Sequence, residues 1–154
     1  MSTTLTPRMT QPVLMIDGAM DALQALSKAV SRARIGINSE IVHLRASQIN
    51  GCGVCTDMHA KALRKAGESE ERVWSIAAWR ESPYFTDAER AALELTEALT
   101  RIADVPEPVS DEIWERCREQ FDEQQLAALI IDIAAINVWN RTNVATRQIA
   151  GGDW

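Results

Sequence analysis

Apolar residues recur at steps of three and four along most of this sequence, and that spacing restricts the chain to helices. No segment alternates between apolar and polar residues over a useful length, so no strand is predicted. We therefore expect an all-α protein, a single-domain bundle of about six or seven helices. The spacing is clearest between Asp17 and Arg34, where one helix face collects Met20, Leu23, Leu26, Ala29 and Val30.

Capping residues and glycines indicate where the remaining helices begin and end. Ser39 can cap a helix that begins at Glu40 and stops at the turn of residues 50–51. The next helix is predicted to begin near Cys52 and to end at Gly67, since glycine suits the position after a helix. Four later helices are predicted after the capping residues Ser69, Thr86, Ser110 and Asp122, over residues 70–80, 87–102, 111–121 and 123–149.

The division of the chain follows from the same pattern. Residues 1–12 contain Pro7 and Pro12 and have no apolar face, so they are predicted to form a flexible N-terminal arm. Residues 13–154 are predicted to form one helical domain, because this length suits a single compact core.

Charge and hydropathy limit the classes of binding partner and the cellular compartment that can be expected for this protein. The formal net charge of −6 argues against nucleic acid or an anionic membrane as the main partner. The most apolar stretch, LAALIIDIAAI, carries Asp132 in its middle and does not read as a membrane span. The first residues lack the apolar run of a signal peptide, so we expect a cytoplasmic protein whose three cysteines are thiols unless chemistry oxidises them.

The segment NGCGVCTDMH contains the side chains that are best suited to catalysis or metal binding. Within a helix, Cys52 and Cys55 lie three residues apart on one face, close enough to form a disulfide, and His59 follows one turn later. The positive end of the helix dipole favours a thiolate there. A thiolate beside a second thiol can attack an oxidant and then close an internal bridge.

A carboxylate is expected opposite this segment. If the chain reverses near Asn50, Glu40 faces the region of His59 across an antiparallel helix hairpin. Glu40 would then orient His59, which would deprotonate Cys55 or protonate a leaving group.

Two other interpretations of these residues stay open. The cysteines and His59 could simply pack at the start of a helix. Alternatively, Cys52, Cys55 and His59 could bind zinc with Glu40 or His43 as the fourth ligand, in a non-catalytic zinc-stabilised or redox-sensing assembly protein. A c-type haem is excluded, because Thr56 and not histidine follows the second cysteine.

The stretch SEIVHLRASQINGCGVCTDMHAKALRKAG resembles the signature of the alkylhydroperoxidase D-like group of the carboxymuconolactone decarboxylase family. In that signature a Glu lies twelve residues before a CxxC, and a His follows four residues after its second Cys. Glu40, Cys52, Cys55 and His59 occupy these four positions. The later stretch NVWNRTNVATR is similar to the family's C-terminal Asn-Arg segment.

The resemblance implies an all-helical homo-oligomer, a trimer or hexamer, that reduces small organic hydroperoxides without a cofactor or metal. It implies that Cys55 is the peroxidatic cysteine, that Cys52 resolves the sulfenic acid into a disulfide, and that Glu40 and His59 form a proton relay. A thiol or lipoamide-type reductant would regenerate the pair. Val54 stands where the founding type has a further His, so this relay is shorter by one member.

The residues by themselves do not decide which of the two cysteines is the nucleophile. Cys52 lies nearest the positive end of the helix dipole, whereas His59 lies one turn from Cys55. Because a positioned base outweighs a dipole effect of about 1 kcal/mol, and because the resemblance agrees, we predict Cys55 as the nucleophile.

Three further residues receive simple predictions. His43 is expected on a solvated helix face, and Cys117 as a buried structural thiol. Asp132 needs a partner if it is buried, and the expected candidates are Arg141 or Arg147 of the same or of another subunit.

Overall fold

The computed structural model describes residues 4–151 and contains only helices over that range. The predicted all-α class is confirmed. The outer ends of the predicted arm and domain, residues 1–3 and 152–154, lie outside the described residues. The helices are α1 (Pro12–Met15), α2 (Ala19–Ala33), α3 (Glu40–Asn50), α4 (Gly53–Lys65), α5 (Glu70–Ser75), a 3₁₀ helix (Ile76–Glu81), α6 (Asp87–Thr100), α7 (Asp111–Gln120) and α8 (Glu123–Thr146).

The described range holds eight α-helices and one 3₁₀ helix, compared with about six or seven predicted helices, and the differences have local causes. α1 was not predicted; Pro12 is its first residue, and the Gln11 side chain accepts a hydrogen bond from Val13 N at 2.6 Å. The single helix expected over residues 70–80 is broken, because Ala78 has the non-helical dihedrals φ −126° and ψ 39°. Beyond this kink Trp79 is buried, and its indole N–H donates to Glu97 at 2.9 Å.

The predicted caps form at most of the helix starts. The α6 and α8 starts have reciprocal capping boxes, between Thr86 and Glu89 and between Asp122 and Gln125. Ser39 is the N-cap residue of α3, as predicted, but its side chain accepts no capping hydrogen bond, and Asn38 Oδ1 accepts the Glu40 N–H at 3.1 Å instead. α8 also ends at Thr146, three residues before the predicted Ile149, because the chain turns there with φ near +53° at the next residue.

A tight reversal joins α3 to α4 and positions the site. Gly51 adopts φ +67°, a left-handed conformation that glycine takes without steric penalty, and its N–H bonds to Gln48 O at 3.3 Å. Cys52 N bonds to Ser47 O at 3.0 Å. α4 consequently runs back along α3, as the predicted hairpin requires. It ends at Lys65, and Gly67, two residues later, is in the left-handed region at φ +91°.

α8 packs against α3 and supplies a third side of the site. Its buried apolar residues recur at steps of three and four, as a core-facing helix requires: Leu126, Leu129, Ile133 and Ile136. Its opposite side leaves Ile131 and Val138 about two-fifths exposed. No helix within residues 4–151 has the length and apolar character needed to cross a membrane.

The predicted arm is held against the end of α8. Arg8 N donates to Thr146 O at 2.8 Å, and Gln148 Nε2 donates to Met9 O at 3.0 Å. The Gln11 amide reaches Thr142 and Asn143 at 3.3 Å. These contacts bring the segment before α1 to the mouth of the cavity described below.

Candidate active site

The two neighbouring cysteines lie at the start of α4 and are joined as a disulfide. Cys52 is the residue that precedes the helix, and its Sγ accepts a hydrogen bond from Cys55 N at 3.3 Å. The S–S distance is 2.04 Å and the Cα atoms are 5.3 Å apart. Both residues are 1% exposed. The pair is thus a buried dithiol–disulfide couple at the positive end of a helix, the environment that favours a thiolate when the bond is reduced.

The carboxylate expected opposite the cysteine segment is present. Glu40, the first residue of α3, places Oε2 2.7 Å from Nδ1 of His59 on α4. Because an ionised carboxylate only accepts, the His59 Nδ1–H donates this bond. His59 is buried, and Glu40 remains partly open to solvent. The fold therefore brings together the four residues predicted from the sequence, whose catalytic roles remain predictions.

His43 and Asp132 add a second pair of side chains to the Glu40–His59 cluster, and the sequence did not predict this pair. His43 Nε2 lies 2.9 Å from Asp132 Oδ1, and its Nδ1 lies 3.6 Å from Glu40 Oε1. The His43 and His59 rings approach to 4.9 Å between centroids. The expected solvated position of His43 is wrong, because this side chain is only 18% exposed.

Within one chain, neither of the arginines predicted for Asp132 pairs with it. Arg141 donates instead to the carbonyl and side-chain oxygens of Asn137, at 3.2 and 2.8 Å. Arg147 is exposed beyond the end of α8. The partner of Asp132 is instead His43, one turn after Glu40 on α3, because α8 crosses α3 with Asp132 facing His43.

The electrostatics of this cluster favour charged side chains. Burial alone would raise the pKa of Glu40, but His43 and His59 lower it to about 2. Burial alone would lower the pKa of His43, but Asp132 and Glu40 raise it to about 9. Near neutral pH, an imidazolium at His43 therefore lies between two carboxylates.

Asparagines of α8 connect the disulfide to the end of α3. Asn143 Nδ2 donates to Cys55 Sγ at 3.3 Å. Asn50 Nδ2 reaches the side-chain oxygens of Asn137 and Asn140, both at 2.9 Å, and Asn140 Nδ2 donates to Ser47 at 3.0 Å. The sequence carried a signal for this stripe, because the three α8 asparagines recur every third residue and therefore share one helix side.

A large apolar cavity opens beside the cluster. Its volume is about 1080 Å³, and Glu40, His43, Cys55, His59 and Asp132 contribute to its wall. Most of the remaining wall is aliphatic or aromatic and includes Leu14, Met20, Ile35, Val54, Met58 and Trp139. Cys52 lines a separate pocket of about 280 Å³ together with Gly53 and Arg147. The second cysteine of the pair is therefore the one that faces the large cavity.

Three buried polar atoms of the cluster have no hydrogen-bond partner within residues 4–151. They are Nδ1 of His43, Nε2 of His59 and Oδ2 of Asp132. Buried polar atoms are normally paired, so unpaired ones beside a cavity indicate groups available to a ligand, a proton or water.

The third cysteine lies away from this site. Cys117 is fully buried on α7, and its Sγ lies 3.5 Å from Ala91 O. Burial, with a smaller contribution from Glu94, raises the pKa of its thiol to about 11. The residue thus has the properties of a structural thiol.

Comparisons with known proteins agree on one family. The carboxymuconolactone decarboxylase family model matches residues 37–98. The uncharacterized protein YdfG of Bacillus subtilis is 43% identical over 106 residues, which cover 69% of this chain and 71% of YdfG. The alkyl hydroperoxide reductase AhpD of Solibacter usitatus is 41% identical over 56 residues, 36% of this chain and 32% of that protein.

A solved structure matches nearly the whole fold. It is a protein of unknown function from Agrobacterium tumefaciens, proposed to be the antioxidant defence protein AhpD. Its sequence is 34% identical, and the superposition has a TM-score of 0.83 over 96% of this chain and 100% of that chain.

Proposed function

The chain belongs to the AhpD-like group of the carboxymuconolactone decarboxylase family, and from this premise we propose that it is a thiol-dependent peroxidase that reduces organic hydroperoxides. The observation that carries the proposal is the position of Cys55. It is half of a disulfide-forming pair, it faces the large apolar cavity, and it lies one helical turn from a histidine bonded to a carboxylate.

The reaction begins with the reduced pair. The Cys55 thiolate attacks the terminal oxygen of a hydroperoxide ROOH, the O–O bond breaks, and the alkoxide takes a proton to leave as ROH. Cys55 becomes a sulfenic acid. The Cys52 thiol then attacks the Cys55 sulfur, the S–S bond forms, and the sulfenic hydroxyl takes the Cys52 proton and leaves as water.

Glu40 and His59 supply the proton transfers. The 2.7 Å hydrogen bond from His59 Nδ1–H to Glu40 leaves Nε2 as the ring atom available to accept or return a proton. Asn143, which lies 3.3 Å from Cys55 Sγ, can stabilise the thiolate by donating a hydrogen bond. On the other side of Glu40 lies His43, which Asp132 holds in place.

The substrate, reductant and assembly belong to the same proposal. The aliphatic wall of the cavity suits the organic group of an alkyl or aryl hydroperoxide better than it suits hydrogen peroxide. A dithiol of lipoamide type, or another cellular thiol, would reduce the disulfide. Exposed apolar side chains on α1 and α8 support a homo-oligomer, a trimer or hexamer; they are Leu14, Met15, Ile131 and Val138.

A turnover assay tests the activity. Reduced protein is mixed with cumene hydroperoxide and one electron donor. Separate reactions use lipoamide-, thioredoxin- and glutathione-based donors, and consumption of the donor is followed in each. Catalytic turnover with at least one dithiol donor is expected. If the donors reduce the disulfide but none is consumed when the hydroperoxide is added, the peroxidase proposal fails and a redox-sensing role replaces it.

Sulfenic-acid trapping tests the assignment of the nucleophile. The trap should label Cys55 in the Cys52→Ser protein, because no resolving thiol is left to consume the sulfenic acid. It should label little in the Cys55→Ser protein. Cys117→Ser is the matched control and should behave as the wild type. Labelling of Cys52 in the Cys55→Ser protein, with none in the Cys52→Ser protein, would reverse the assignment.

A further inference from the structure

Two histidines and a carboxylate converge on one point at the cavity wall. One ligand atom from each of Glu40, His43 and His59 lies within 4.8 Å of the other two. We propose that these three side chains form a binding site for a first-row divalent transition-metal ion such as Zn²⁺, and that the bound ion reversibly inhibits the thiol reaction. The inhibition rests on the proposed peroxidase function, whereas the binding does not.

The spacing of the donor atoms fits a coordination sphere. Ligand atoms about 2.0–2.1 Å from a metal stand roughly 3.0–3.4 Å apart in octahedral or tetrahedral geometry. The His59 Nδ1–Glu40 Oε2 distance is 2.7 Å, and the His43 Nδ1–Glu40 Oε1 distance is 3.6 Å. These two values lie on either side of the required range, and all three donor atoms lie within 4.8 Å of one another, so the side chains must draw together to bind an ion. The ion takes the place of the proton that now lies between His59 Nδ1 and Glu40 Oε2.

The positions of the ligands along the chain are those of metal sites in helical bundles. Glu40 and His43 stand at i and i+3 on α3, a Glu-x-x-His arrangement that places both side chains on one face. His59 projects from the neighbouring antiparallel helix α4. A rigid helix pair thus holds all three donors, with no need for a loop to become ordered.

Asp132 provides independent support. Histidines that bind a metal usually donate their other ring N–H to a carboxylate, which fixes the ring and its tautomer. Asp132 Oδ1 lies 2.9 Å from His43 Nε2 in this arrangement, and it leaves His43 Nδ1 buried and without a hydrogen bond. A proton relay through Glu40 and His59 alone requires neither His43 nor Asp132.

The donor set indicates the class of ion. Two imidazoles and one carboxylate suit Zn²⁺, Co²⁺, Ni²⁺ or Fe²⁺, whereas Ca²⁺ and Mg²⁺ prefer oxygen ligands. Three protein ligands leave coordination positions for water on the side of the cavity. The site uses no cysteine, so it differs from the Cys52–Cys55–His59 zinc site considered from the sequence, whose sulfurs are occupied by the disulfide.

Inhibition follows from shared residues. The relay requires Glu40 and His59 to exchange protons, and a metal ion coordinated by both would prevent that exchange. The same side chains therefore support either thiol chemistry or metal binding. We expect Zn²⁺ to lower peroxidase turnover at least tenfold at saturation, and a chelator to restore it.

Binding is tested on the full chain without using activity. The Cys52→Ser/Cys55→Ser protein, freed of metal with EDTA, is titrated with Zn²⁺ by calorimetry and with Co²⁺ by visible absorption. One ion per chain is expected. His43→Gln should abolish tight binding, and Asp132→Asn should weaken it by about 10–100-fold. The exposed Glu115→Gln is the charge-matched control, and circular dichroism checks the fold of every variant.

The outcomes separate the two proposals. Unchanged affinity in both His43→Gln and Asp132→Asn, or no binding by the double serine protein, would overturn the metal site while leaving the peroxidase proposal intact. Tight metal binding by a protein without peroxidase turnover would leave the site standing and overturn the proposed function. Metal binding that leaves turnover unchanged would overturn the inhibition.

Discussion

Replacing Asp132 with asparagine should change the ionisation of His43. The substitution keeps the size of the side chain and an oxygen that can accept the His43 Nε2–H bond, now 2.9 Å, but it removes the negative charge. The charged or titratable groups within contact of His43 are Glu40, His59 and Asp132. Among residues 4–151, the change therefore leaves Glu40 as the only carboxylate beside this imidazole.

The size of the effect follows from the pKa of His43. Its rise from 6.5 to about 9 corresponds to about 3 kcal/mol of preference for the imidazolium, at about 1.4 kcal/mol per pKa unit. Asp132 and Glu40 produce this rise against the opposing effect of burial. Removing one carboxylate should therefore lower the pKa of His43 by about 1 or more and cost on the order of 1–2 kcal/mol of stability near pH 6.

The sign of the pH dependence is specific. Because the folded-state pKa of His43 is raised, its contribution to stability is fully present below about pH 6.5 and is lost as the pH rises through about 9. The free energy of unfolding of the wild type should exceed that of Asp132→Asn by more at pH 6 than at pH 10.

Two measurements check this expectation. Proton NMR follows the pKa of His43, and with two histidines in the chain, the His43→Gln spectrum identifies its resonances. Urea unfolding at pH 6 and pH 10, with a chelator and at one protein concentration, gives the stability difference. Glu115→Gln is the control for loss of one negative charge. A pKa that stays near 9, or a stability difference equal at both pH values, would refute the reasoning.

Three further predictions concern the thiols and the assembly. In the reduced protein, Glu40→Gln should raise the apparent pKa of Cys55 and slow its alkylation near neutral pH; unchanged rates in both Glu40→Gln and His59→Ala would remove the relay from the mechanism. Cys117, fully buried and with its pKa raised to about 11, should react with iodoacetamide only after unfolding, as mass spectrometry of native and denatured samples would show, and rapid native labelling would contradict its structural role. Light scattering at micromolar concentration should give a multiple of the 17.1 kDa chain, and a stable monomer would count against the homo-oligomer.

Local sequence determined most of the helices and the core of the site. A side chain that caps a helix lies within three residues of the N–H it accepts, so Thr86 and Asp122 could be identified as caps without knowledge of the fold. Gly51 marks the reversal between α3 and α4 for the same reason. Once that hairpin is assumed, helix periodicity alone places Glu40 opposite His59, and the structure has the two in contact.

Tertiary packing decided what surrounds this pair. Asp132 lies 89 residues after His43, and Asn143 lies 88 residues after Cys55, so their contacts depend on how α8 crosses α3 and α4. The apolar run around Asp132 indicated burial but not which basic group would face it, and the two arginines chosen from the sequence point elsewhere. The cavity, too, is enclosed by segments distant in sequence, from Pro7 to Gln148. Helix propensity and periodicity act over one or two turns, whereas the relative positions of distant helices are set by the packing of the whole core.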